Sequence, residues 1–155
     1  MPNTYTQIYL QFVFAVEDRF CLIQKEWQDE LYKYITGIVR NNRHKLLTIN
    51  GMPDHVHVFV GYKPYQSVSD LLQDIKEHSS KWIDNKGFLP AKFNWQEGYG
   101  AFSYSHSHID RVIKYINNQE CRHKKVSFID EYIALLKRFN VQYDDRYIFH
   151  EVKME

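Results

Sequence analysis

Residues 55–60 read His-Val-His-Val-Phe-Val. Alternation of this kind fits an extended strand, where residues i and i+2 point to the same face. His55, His57 and Phe59 then share one face, while Val56, Val58 and Val60 share the other and need a core to cover them. The chain must therefore build a sheet with one buried apolar face and present two parallel imidazoles on the second, open face. Two imidazoles fixed on a rigid strand can hold one divalent metal ion.

The surrounding pattern supplies the rest of such a sheet. Tyr5 to Val16 is rich in aromatic and β-branched residues and reads as a strand. Lys25 to Arg40 carries a helical stripe of Trp27, Leu31, Tyr34, Ile35, Ile38 and Val39. Lys45 to Asn50 reads as a short strand, and Gly51-Met52-Pro53-Asp54 as the turn that leads into the histidine strand. Ser67 with Asp70 signals a helix start, and Asn85-Lys86-Gly87 its end. Gly98 to Ser105 reads as a further strand. Ser107 with Asp110 and Ser127 with Asp130 signal two more helices, the second with Phe128, Tyr132, Leu135, Leu136 and Phe139 inward. The order β-α-β-β-α-β followed by helices predicts an α+β fold: a split β-α-β (ferredoxin-like or RRM-like), largely antiparallel sheet, helices on one face, and C-terminal helices added. No linker or repeat divides residues 1–155, so a single domain is expected.

Composition narrows the class. The 20 Lys and Arg against 19 Asp and Glu leave a net charge of only +1, so the chain as a whole does not advertise a polyanion partner. Local basic runs stand out instead: Arg40, Arg43, His44 and Lys45, and then Arg122, His123, Lys124 and Lys125. Taken alone, each run reads as a solvated face. The two cysteines, Cys21 and Cys121, form no paired framework and fit a reduced cytoplasmic setting. The first twenty residues lack the basic n-region of a signal peptide, and Gln7 and Gln11 interrupt their apolar run, so neither a leader nor a membrane span is expected.

The helix after Ser107 carries the second chemical feature. Ile109, Val112, Ile113 and Ile116 form its apolar stripe, and Tyr115 and Gln119, four apart, fall with His108 and Arg122 on one flank. If this helix lies beside the open sheet face, Tyr115 and Gln119 meet the histidines. A metal held by His55, His57 and the Gln119 oxygen would keep positions open for a phosphate oxygen. Tyr115 would attack in line, displace a 3′-oxygen and leave a 5′-phosphotyrosine that a second 3′-OH can reverse. The ligand set suits Mn²⁺, and Mg²⁺ can serve. No phosphate-cradling Gly loop is present, so no nucleotide cofactor is expected. A phenol has an unperturbed pKa of about 10, so activation is needed; the metal and Arg122 are the candidates.

These residues resemble a known family. His55-Val56-His57 is similar to the His-hydrophobic-His motif of HUH endonucleases. Tyr115-Ile116-Asn117-Asn118-Gln119 is similar to the Tyr-x-x-x-Gln helix of the single-tyrosine transposases of bacterial insertion sequences. Met52 to His57, Trp95 to Phe102 and Phe128 to Tyr132 extend the resemblance over roughly Thr4 to Phe149. It implies a metal-dependent transposase that acts on single-stranded DNA, recognises hairpins or palindromes at element ends and works as a homodimer, with Tyr115 able to serve the partner's histidines. It also implies a place for the basic residues Arg40, Arg43, Lys45, Arg122, Lys124 and Lys125 in DNA binding. REP-associated, domesticated relatives belong to the same family.

Blander readings compete at each position. A lone His-x-His is more often incidental, and His106-Ser107-His108 repeats the spacing at a helix start, where i and i+2 do not align. Most of the 12 tyrosines must be packing residues. Cys121 and His123 with His55 and His57 would make an unusual zinc set. Tyr99, Phe102 and Tyr104 fit base stacking, and fit a core or dimer-interface role at least as well. Two rival functions follow: a non-catalytic DNA-hairpin binder, domesticated or decayed, and a metal hydrolase using activated water.

Overall fold

The structure, a computed structural model, describes residues 4–123 and 126–144. Four antiparallel strands, β1 (Tyr9–Ala15), β2 (Lys45–Met52), β3 (His55–Gly61) and β4 (Gly100–Tyr104), lie in the order β2-β3-β1-β4. Helices α1 (Lys25–Asn41) and α2 (Val68–Lys86) connect them in the expected split β-α-β order, and α3 (Ile109–Asn117), α4 (Gln119–Arg122) and α5 (Phe128–Arg138) follow. The α+β class and the antiparallel sheet stand as the sequence predicts.

Local chemistry sets the element boundaries. Both neighbours of β1 stop opposite Tyr9, so residues 5–8 have no ladder to join and the strand starts later than its composition suggests. The Ser67 hydroxyl caps α2 by accepting from the Asp70 amide, and Gly87 ends it at φ +70°. Ser127 caps α5 in the same way. Ser107 does not cap α3: residues 106–108 form a 3₁₀ turn, and its hydroxyl lies against His108 instead.

One sheet face behaves as expected. Phe12, Phe14, Val56, Val58 and Val60 are fully buried beneath Leu31, Ile35 and Val39 of α1 and Leu71, Leu72 and Ile75 of α2. Each such burial stabilises by about 1.5–3 kcal/mol. The other face departs from the expected open surface. Val112 and Ile116 of α3 pack on Phe59, while Phe128, Tyr132, Leu135 and Leu136 of α5 pack on Val13, Ala15 and Phe102. The physical reason is the apolar stripe on both helices, which needs a sheet to bury it. His55 and His57 are consequently fully buried rather than displayed.

Helix α5 can settle there because Gly100 has no side chain. A Cβ at Gly100 would fall 2.7 Å from the Tyr132 ring. Gly100→Val should therefore destabilise the fold by about 1–3 kcal/mol through overpacking, read as a lowered urea midpoint.

Candidate active site

The histidine strand places both imidazoles under α3–α5, with Asp54 and Gln11 behind them. Asp54 Oδ1 lies 2.7 Å from His55 Nδ1, and Gln11 Nε2 lies 2.8 Å from His57 Nδ1. A carboxylate only accepts, so His55 donates Nδ1–H to Asp54 and turns its Nε2 into the site. His55 Nε2 faces Gln119 Oε1 at 3.1 Å. Gln119 Oε1 is an acceptor, so an approach this close takes a proton or a cation between the two atoms.

The centre of the cluster is Glu131 of α5, a residue 1% exposed. Its Oε1 lies 3.2 Å from His57 Nε2, 3.0 Å from His123 Nε2 and 3.6 Å from His55 Nε2. Its Oε2 accepts from Gln119 Nε2 at 3.0 Å and from the Tyr115 hydroxyl. Burial alone would raise this carboxyl's pKa, but the hydrogen bonds from His123, His57 and Tyr115 outweigh it and hold the group well below the usual carboxylate range. Burial pushes the His57 pKa down, which favours a neutral ring; with Gln11 Nε2 donating to Nδ1, that ring carries its proton on Nε2 and donates it to Glu131 Oε1. His55, His57 and Glu131 each offer one ligand atom within 4.8 Å of the others. Imidazole nitrogens with a carboxylate oxygen form a donor set suited to a divalent transition metal, and the close approach of His55 Nε2 to Gln119 Oε1 fits a cation there.

Tyr115 and Gln119 reach Glu131 from two helices rather than one. Asn50 Nδ2 donates to the Ile116 carbonyl at 2.9 Å and to the Asn117 carbonyl at 3.2 Å. These carbonyls would serve the next turn of an unbroken helix, so α3 stops at Asn117 and α4 restarts at Gln119. The expectation of one continuous Tyr-to-Gln helix is corrected accordingly. The convergence survives, within one chain: the His57 and Tyr115 rings lie 5.9 Å apart.

Other sequence candidates divide. His123, read from the sequence as part of a basic run and as an unusual zinc partner, joins the cluster through Gln119 Oε1 and Glu131. The side chains of Cys121 and Arg122, and all of Lys124 and Lys125, lie outside the described residues. Arg40, Arg43 and Lys45 are exposed near the far end of the sheet. His44 is buried between them and stacks on Tyr62 and Tyr65, the latter 60% exposed. Phe102 is core, and Tyr104 donates to Gln11 Oε1, so neither is a free stacking platform. Glu131 went unread as a site residue. Its signal was an acidic residue on the inward stripe of α5, between Phe128 and Leu135.

Fold and site together define an α+β protein with a sheet-borne imidazole pair, a buried carboxylate and a tyrosine in contact. Residues 4–119 match the family described as Transposase IS200 like, and the chain belongs to that family. It is 25% identical over 118 residues to the ISDra2 transposase TnpA of Deinococcus radiodurans, an alignment covering 73% of this chain and 84% of the relative. Among solved structures, it resembles a crystal structure described as a transposase from Deinococcus radiodurans, with a TM-score of 0.63 at 21% identity over 77% of this chain and 95% of the other. A REP-associated tyrosine transposase bound to a REP hairpin matches with a TM-score of 0.59 at 13% identity, over 100% of this chain and 97% of that one. No helix among the described residues is long and apolar enough to cross a membrane.

Because Glu131 joins β3, α3, α4 and α5, its removal leaves several buried polar groups without a partner. Glu131→Ala should cost about 3–5 kcal/mol, measured by equilibrium urea unfolding.

Proposed function

We propose that this IS200-like transposase cleaves and rejoins single-stranded DNA through Tyr115, with a divalent metal, Mg²⁺ or Mn²⁺, held by His55, His57 and Gln119, and Glu131 beside them. The observation that carries the reading is that the Tyr115 hydroxyl and the His57 Nε2 meet on one carboxylate. When bound, the cation supplies Lewis-acid stabilisation of charge on the phosphoryl oxygens and on the phenolate. Asp54 and Gln11 fix the two imidazoles so that their Nε2 atoms face inward. Glu131 accepts from the phenol and so directs it, and the phenol proton passes to solvent as the bond forms. The Tyr115 oxygen bonds to phosphorus, the bond from phosphorus to the 3′-oxygen breaks, and that oxygen leaves with the electron pair and takes a proton. The products are a 5′-phosphotyrosine and a free 3′-OH; attack by another 3′-OH rejoins the strand with no nucleotide cofactor.

Residues 1–155 act in this reading as one domain. Hairpin DNA at element ends contacts the sheet end that carries Arg40, Arg43 and Lys45, where Tyr65 offers an exposed ring for stacking. A hydrogen-bond network stiffens that end: the Lys63 amide donates to His44 Nδ1, His44 Nε2 faces Gln66 Oε1, and Gln66 Nε2 donates to Asn42 Oδ1. The basic run Arg122, Lys124 and Lys125 enters this reading as a DNA contact only through the family resemblance, and the working unit is a homodimer, which the resemblance also implies and a single-chain mass in light scattering would contradict.

Incubation with single-stranded element-end DNA and Mn²⁺ or Mg²⁺ should give a covalent adduct visible on a denaturing gel. Tyr115→Phe should abolish the adduct and leave hairpin binding intact; an adduct that persists removes Tyr115 as nucleophile. Cleavage without an adduct would favour activated water. Arg43→Ala should do the converse, keeping the chemistry while weakening hairpin binding and reducing its salt slope by about 1. Asp54→Ala should lower Mn²⁺ affinity by about 10- to 100-fold, followed by electron paramagnetic resonance; unchanged affinity would count against Asp54 as the group orienting His55.

A further inference from the structure

Between α3 and α5 lies a cleft of about 320 Å³, at the lower end of small-ligand sites. Its lining includes Tyr115 and Glu131, with His108 and Arg111 from the α3 side and Arg138 from α5. Arg111 precedes Tyr115 by one helical turn, and Arg138 follows Glu131 by two, so on each helix the cation sits on the same side as the reactive group. Among the described residues, neither guanidinium has a carboxylate within ion-pair distance. The charge of Arg138 reaches the Tyr104 phenol, another lining residue, whose pKa burial raises to about 12 while Arg138 works against that rise. Glu131 does not turn a bare charge into this space, because its oxygens accept from Tyr115 and Gln119 and face His57 and His123.

A cleft with two arginines and a phenol joined to a metal-type cluster has the chemistry of an oxyanion site. Guanidinium groups match the non-bridging oxygens of a phosphate in shape and in number of donors. We propose that the α3–α5 cleft is where a single-stranded phosphodiester enters and is held over Tyr115, with Arg111 and Arg138 binding its non-bridging oxygens. The proposal rests on the strand-transfer reading for what happens next, but the binding it asserts can be measured apart from it. The sheet-end residues Arg40, Arg43 and Lys45 contribute nothing to this cleft, so hairpin contact and strand contact are separate surfaces.

The test is fluorescence anisotropy with a labelled short oligothymidine, which has no hairpin, alongside single-turnover adduct formation at saturating element-end strand. Arg111→Gln/Arg138→Gln should weaken oligothymidine binding by at least about tenfold, the loss expected from removing charge-assisted hydrogen bonds, and should slow the adduct by a similar factor. Arg111→Lys/Arg138→Lys, which keeps charge but not the planar fork, should recover most of the binding and little of the rate. Both side chains are exposed, so the variants should retain the wild-type circular dichroism. Unchanged oligothymidine affinity in a folded Gln double variant overturns the cleft, and a normal adduct in the same protein leaves the Tyr115 assignment standing. If the wild type forms no adduct yet the double variant loses oligothymidine binding, the cleft is upheld and strand transfer is the reading that fails.

Discussion

The carboxylate of Glu131 is the constraint on which the second half of this molecule depends. A charged group removed from water is tolerated only when its oxygens are surrounded by donors. Here they come from β3, α3, α4 and the turn after α4, while the carboxylate itself rides on α5. The packing of three helices over the sheet and the assembly of a reactive centre are therefore one event. Apolar contacts from Val112, Ile116, Phe128 and Leu135 bring the helices down, but they do not fix rotation to the last ångström. The hydrogen bonds to Glu131 do.

This arrangement separates three tasks in space. The apolar face with α1 and α2 supplies stability. The far end of the sheet carries exposed cations and an exposed ring on a rigid polar network. The covered face carries the imidazoles, the phenol and the arginine-lined approach to them. A net charge of +1 is compatible with local positive surfaces, because Arg40, Arg43 and Lys45 lie together at one end of the sheet and Arg111 and Arg138 line one cleft. Net charge, which argued least for a nucleic-acid partner, averages over a distribution that is far from uniform.

Much of this was legible in the sequence because period-2 and period-3.6 patterns are local. His55-Val56-His57 on a strand, the stripes of α1 and α2, and the caps at Ser67 and Ser127 follow from neighbours a few residues away. What escaped was set by contacts between distant segments. The α3–α4 break depends on Asn50, 66 residues before Ile116. The late start of β1 depends on where β3 and β4 end. The covered histidines depend on two apolar stripes choosing the same sheet face. Glu131 was hidden for another reason: on a helix, an acid beside inward residues looks like a boundary of the polar side, and only the histidines opposite reveal it as a core group.

The bare backbone at Gly100 carries a consequence for the chemistry. The sheet and its α1–α2 layer have their own core, whereas α5 rests on one residue that lacks a Cβ. A side chain there presses on the helix that bears Glu131, while the α1–α2 layer keeps its own contacts on the opposite face. The geometry of the reactive cluster is thus open to change from a glycine that lies outside it.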